Sequence, residues 1–204
     1  MGTGTKPSRW LCALLSLLAL SCAESGGPVI VDASWNLTCP SSTSAECASW
    51  AEDTCLGNQG SRTIAGAHGE MSCNDVDPII ATCEVVERDG LTVIDLKASV
   101  GGFAFELTGA AAEATPSAEE QTVCIVTITE EGVDYGRTVM LGSCGREEPS
   151  VEQPCQISNV MAESGVIAFD LQCEALLNSA SGFGFDVTAT SGQPTISFSK
   201  CSGF

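Results

Sequence analysis

Hydrophobic and polar positions alternate with a period of two through most of this chain, the spacing that puts one face of a strand on a core and the other in water. Val29 to Leu37 is the first such run, and Thr63 to Ala67 a shorter one. Cys83 to Glu87 and Leu91 to Ala98 flank Arg88-Asp89-Gly90. Asp-Gly predicts a tight hairpin, because its two central positions must accept positive φ. Phe103 to Thr108 places Phe103, Phe105 and Leu107 on one face, and Thr122 to Thr129 is built almost wholly of strand formers. Four further runs follow, at Gln156 to Val160, Val166 to Gln172, Phe183 to Ala189 and Thr195 to Lys200. Ser44 to Cys55 is the single segment with helical spacing, with Ser44 as N-cap and Cys47, Trp50, Ala51 and Cys55 on one face. The pattern predicts an all-β fold, an antiparallel sandwich or barrel-like domain with one short helix.

Two stretches share an ordered pattern. From Cys83 the chain reads C-E-V-V-E-R-D-G-L-T-V-I-D-L and then G-G-F-A-F-E-L-T. From Cys155 it reads C-Q-I-S-N-V-M-A-E-S-G-V-I-A-F-D-L and then S-G-F-G-F-D-V-T. Gly90 precedes Asp95 by the same distance as Gly165 precedes Asp170. This predicts two related β units, a β domain over 29–145 and a C-terminal unit over 150–204 that partly repeats 83–124. A third, weaker hairpin opens at Cys124. Arg146 to Ser150 reads as the link, since Pro149 cannot donate to a ladder. Ala110 to Glu120 reads as a solvated loop. If the repeats place cysteines equivalently, Cys83 pairs with Cys124 and Cys155 with Cys201.

The strongest apolar run lies elsewhere. Residues 1–9 carry Lys6 and Arg9 and no acid, and Trp10 to Leu20 is interrupted only by Ser16. Such a run suits a signal-peptide core and falls short of the roughly 20 residues of a bilayer span. It ends in Leu18-Ala19-Leu20-Ser21-Cys22, which resembles the lipobox of bacterial lipoproteins, with Ala19 where leucine is commonest. The resemblance covers residues 1–22 only. It implies cleavage after residue 21, diacylglycerol on the Cys22 sulfur and acylation of the new terminus, so that the chain is held to a membrane by several acyl chains. Residues 22–28 then form a small, polar tether. Ordinary secretion is the alternative, since Ala19-Leu20-Ser21 is also a small-x-small cleavage site.

Cysteine parity bears on that choice. Of 12 cysteines, Cys12 leaves with the leader and Cys22 takes the lipid. Ten remain: Cys39, Cys47, Cys55, Cys73, Cys83, Cys124, Cys144, Cys155, Cys173 and Cys201. An even number suits disulfides in an oxidising compartment, whereas a free Cys22 would leave an odd thiol. No two cysteines stand close enough for a structural zinc site, which needs ligand pairs two to four residues apart.

Charge narrows the function classes. The chain has 26 acidic and 8 basic side chains, a formal charge of −18, which becomes −20 once Lys6 and Arg9 are removed. This excludes the basic footprint of a nucleic-acid binder and favours cationic partners. Asn74-Asp75-Val76-Asp77 and Glu130-Glu131-Gly132-Val133-Asp134 are the densest oxygen-ligand runs, but neither follows the EF-hand ligand ladder. Both read as solvated acidic turns. The lone imidazole, His68, lacks a G-x-S-x-G partner and reads as a loop residue, and Trp35 and Trp50 read as core. Asn36-Leu37-Thr38 matches a glycosylation sequon inside a strand. The expectation is therefore a lipid-anchored protein of the bacterial outer membrane or cell surface. Its role would be structural or binding, with no catalytic residues, metal or cofactor. The alternatives are an envelope hydrolase using paired carboxylates and a calcium-dependent adhesion module.

Overall fold

The structure, a computed structural model, describes residues 27–38, 61–72, 76–113, 124–132, 136–178, 184–188 and 196–204. Eleven strands are present among them and no helix. The predicted helix over Ser44 to Cys55 lies outside the described residues. The first half of the chain contributes β1 (Ile30–Thr38), β2 (Ser61–Ala67), β3 (Ile80–Arg88), β4 (Leu91–Val100) and β5 (Phe103–Ala111). Then come β6 (Cys124–Gly132), β7 (Gly136–Gly145), β8 (Cys155–Glu163), β9 (Val166–Asn178), β10 (Gly184–Thr188) and β11 (Ile196–Ser199). They form one sheet in the order β10-β1-β11-β9-β8-β7-β6-β5-β4-β3, with β2 paired to β1. All pairings are antiparallel except the short contact of β7 with β8, so the sheet is mixed rather than purely antiparallel.

Local chemistry sets the hairpins. Arg88 pairs with Leu91 across Asp89 and Gly90, whose φ values are 55° and 81°. Glu163 pairs with Val166 across Ser164 and Gly165, with φ of 52° and 77°. Two positive-φ residues match the right-handed twist of the flanking strands. Each hairpin pairs on with a third strand, so β3-β4-β5 and β8-β9-β10 are both antiparallel strand triplets in chain order. The sequences over 29–145 and 150–204 contribute to the same sheet and the same buried cluster.

The sheet curls back on itself. β10 and β11 lie end to end between β1 and β9, each pairing with both. Past β11 the chain meets the free edge of β3: Ser202 N–H donates to the Cys83 carbonyl (3.1 Å), and Val85 N–H donates to the Ser202 carbonyl (2.9 Å). The Cys83–Cys201 disulfide locks that closure. Inside, Trp35 of β1 packs on Phe105 of β5, and Phe105 on Phe169 of β9, with ring centroids 6.3 and 6.4 Å apart. One core is thus shared by strands far apart in the sheet order.

The disulfides differ from the predicted pairing. They join Cys83 to Cys201, Cys124 to Cys144 and Cys155 to Cys173. Cys124 stands directly opposite Cys144 in the β6–β7 register, and Cys155 opposite Cys173 in β8–β9. Adjacency across a ladder decided the partners, and repeat equivalence did not. Cys39, Cys47, Cys55 and Cys73 lie outside the described residues, as do Cys12 and Cys22. Two further expectations are corrected. Ala110 and Ala111 end β5 instead of opening a loop, and Ala110 is buried. The Arg146 link is docked: its guanidinium donates to the carbonyls of Ala111 (2.6 Å) and Glu113 (2.8 Å).

Candidate functional site

Two features carry chemistry. The first is a polar cluster inside the core. Trp35 and Arg62 are register partners on β1 and β2, so their side chains project to the same face. Glu130 and Phe103 come from the paired strands β6 and β5 on the other side of the core. Arg62 Nε donates to Glu130 Oε2 at 2.9 Å, and Trp35 Nε1 donates to Oε1 at 3.2 Å. The Arg62 guanidinium sits 4.6 Å from the Phe103 ring centroid, a cation–π contact in a desolvated setting. Both charged side chains are fully withdrawn from solvent. Burial pushes the Glu130 carboxyl up to about 7, against the pull of Arg62 and of the two hydrogen bonds. A carboxyl in that range resembles a general acid, but Glu130 has no surface for a substrate to reach. Its chemistry is internal, tying one layer of the fold to the other.

Expectation and structure part company here. The sequence pattern puts Glu130 in a solvated turn, and the structure corrects this. β6 instead continues to Gly132, and the period-two alternation that buries Val126 and Ile128 also turns Glu130 inward. Glu131 faces water. Val133 and Asp134 lie outside the described residues, as do Asn74 and Asp75 of the other acidic run. Asp77 is present, its carbonyl accepting from Ser72 N–H (2.9 Å). Among the described residues, no group of three His, Cys, Asp or Glu side chains is placed to hold a metal. His68 belongs to the loop after β2, where its Nδ1 accepts from Ala81 N–H (3.0 Å) and ties that loop to β3. Trp35 is core, and Trp50 lies outside the described residues.

The second feature is an apolar groove of about 620 Å³ on the outer face of the sheet, where the segment 149–154 crosses from β7 to β8. Its size falls in the range of roughly 300–1,000 Å³ typical of ligand sites. Leu141 of β7 and Leu177 of β9 are register partners, both half exposed, and Val151 stands fully in solvent. Pro154 forms part of the lining by packing on Gly142, where a Cβ would meet Pro154 Cγ at 2.7 Å and Leu176 Cδ1 at 2.8 Å. The segment is held by Glu174 N–H donating to the Pro154 carbonyl (2.7 Å) and by Ser143 Oγ donating to the Glu152 carbonyl. Glu152 and Glu174 are among the lining residues, and among the described residues that line the groove none is basic.

Of the groove residues, the sequence reading touches only Pro149 and Ser150, as part of the link, although a signal for the leucines exists. Met140-Leu141 and Leu176-Leu177 are apolar doublets in strands, where alternation must turn one member outward. Met140 and Leu176 are buried and their neighbours are not. Comparison with protein-family models, with curated proteins and with solved structures finds no match.

Proposed function

We propose that this chain is an exported, lipid-anchored protein of the bacterial cell envelope that works as a binding module and performs no chemistry of its own. The observation that carries the reading is the Cys83–Cys201 disulfide, which joins elements 118 residues apart and is accompanied by two buried cross-strand disulfides. A fold closed in this way suits an oxidising compartment, because cytosolic thiols are kept reduced. The leader and the lipobox-like Leu18-Ala19-Leu20-Ser21-Cys22 supply the route and the anchor.

Binding is favoured over catalysis by where reactive groups lie. The carboxyl with the raised pKa is sealed in the core, and the accessible groove is chiefly apolar. The topology also separates the groove from the tethered end. Pro28 stands six positions after Cys22, a reach of about 20 Å at most. Ile30, which follows, pairs with Ser199, and Ser199 with Val166 at the start of β9. Leu177 lies eleven residues along β9, on the order of 30 Å from that end. An anchor at Cys22 would therefore hold the chain by the end of β9 remote from the groove.

Mass spectrometry of the N-terminal peptide tests the reading. The expected species begins at Cys22 and carries a diacylglycerol thioether with an acylated amine. A peptide with an unmodified Cys22 thiol removes the anchor from the proposal.

A further inference from the structure

We propose that the groove between Leu141, Val151 and Leu177 is a docking site for an extended cationic segment of another protein, one in which aliphatic or aromatic side chains alternate with lysine or arginine. The inference deepens the binding reading above and rests on it for the biological setting, though its geometry stands independently.

Three observations specify the occupant. The apolar residues are placed where the fold does not need them: Leu141 and Leu177 face outward while Met140 and Leu176 fill the core. Ile125, half exposed on β6, pairs with Ser143 of the lining and extends the apolar strip across a third strand. An exposed strip of this kind on a soluble face marks an interaction site. Second, the charged residues of the described lining are all acidic. Glu152 and Glu174 belong to the lining, Glu147 and Glu148 precede it as exposed residues, and the nearby cation, Arg146, is engaged by the backbone of residues 111 and 113. In a chain of net charge −18 that field attracts a basic partner and repels an acidic one.

Third, the site is shaped on fixed elements. Ala175 holds φ of 56° within β9, and its N–H is taken by the Asp186 carboxylate (3.0 Å), which fixes the bend that carries Leu177. Pro149 and Pro154 stiffen the crossing segment, so little ordering accompanies binding. An apolar anchor flanked by charge-paired cations is the arrangement this surface complements. A purely apolar small molecule would leave the carboxylates unused, and an acidic or lipid-headgroup surface would meet repulsion.

The test uses the full chain in phosphatidylcholine nanodiscs, with empty nanodiscs as background, titrated by fluorescence anisotropy. The probes are three labelled peptides of equal length, alternating lysine with leucine, lysine with serine, and glutamate with leucine. Lysine–leucine binding alone is expected. Leu177→Ser and Val151→Ser should each weaken it by about tenfold, the loss of one apolar anchor. Both positions are exposed, so folding is preserved, as an unchanged Tm verifies. Met161→Ser, at an exposed position outside the groove lining, should bind as the parent does. Equal binding of the lysine–serine peptide would overturn the proposal in favour of nonspecific charge attraction. Equal binding of the glutamate–leucine peptide would overturn it in favour of an apolar ligand. Lysine–leucine binding unchanged by Leu177→Ser and Val151→Ser would overturn the location. Cys22 modification is read separately by mass, so loss of the anchor reading and loss of the groove reading remain distinct outcomes.

Discussion

Glu130 carries the main pH-sensitive interaction at the residue scale. Its carboxyl titrates near 7 in the fold and near 4.5 in the unfolded chain, with burial the larger cause. Between those values the folded state holds a proton that the unfolded state has released. Stability contributed by this group is therefore present below about pH 4.5 and is lost as pH rises toward 7. The span corresponds to a loss on the order of 3 kcal/mol. Glu130→Gln removes the titration and keeps one oxygen acceptor, enough for Arg62 or Trp35 but not for both. Urea unfolding of both proteins at pH 4.5 and 7.5 should show the parent losing more stability than the variant across that window. Equal pH slopes would mean that Glu130 keeps its charge throughout. The sequence held half of this site. Alternation through Val31, Ala33 and Trp35 marks Trp35 as inward, and the same alternation would have turned Glu130 inward had β6 been extended past Thr129. That Arg62 awaits it from β2 depends on two layers meeting, which no local pattern encodes.

At the scale of elements, three positive-φ residues inside strands are pinned by aspartates on their neighbours. Asp95 accepts from Gly109 N–H (2.8 Å; Gly109 φ 78°), Asp186 from Ala175 N–H, and Asp170 from the side chain of Asn159 (2.6 Å; Asn159 φ 52°). These bulges let the strands bend enough to close. The final closure relies on Gly203, with φ of 89°, where a Cβ would collide with the Val85 carbonyl oxygen. Gly203→Ala should therefore detach the tail from β3. Hydrogen exchange of Val85 N–H, which donates to Ser202, should accelerate, while the Asp89-Gly90 turn keeps its parent behaviour. Unchanged Val85 exchange would show that the disulfide alone holds the edge. The turns were readable because Asp-Gly and Ser-Gly act within two residues. Strand ends are less so: β5 and β6 run past Thr108 and Thr129 into small or acidic residues, since the partner strand continues to offer hydrogen bonds.

Across the whole molecule, the three described disulfides differ in what they constrain. Cys83–Cys201 closes a separation of 118 residues, against 20 and 18 for Cys124–Cys144 and Cys155–Cys173. By chain entropy the long closure contributes about 5 kcal/mol and each short one about 3 kcal/mol. Replacing both cysteines of one pair by serine, one pair at a time, should lower the denaturation midpoint most for Cys83 and Cys201. A larger loss from either short pair would place the main role of the disulfides in local packing.

Strand content, hairpin turns, acidity and the ten cysteines beyond residue 22 are all properties of the sequence itself. Each depends on side-chain alternation, on φ at one or two residues, or on a count. Partner choice belongs to the tertiary structure. Cys83 finds Cys201, Arg62 finds Glu130, and Leu141 finds Leu177 because a curled sheet brings them to one place. Their separations in sequence range from 36 to 118 residues. Local pattern states which way a side chain faces, and only the closed sheet states what it meets there.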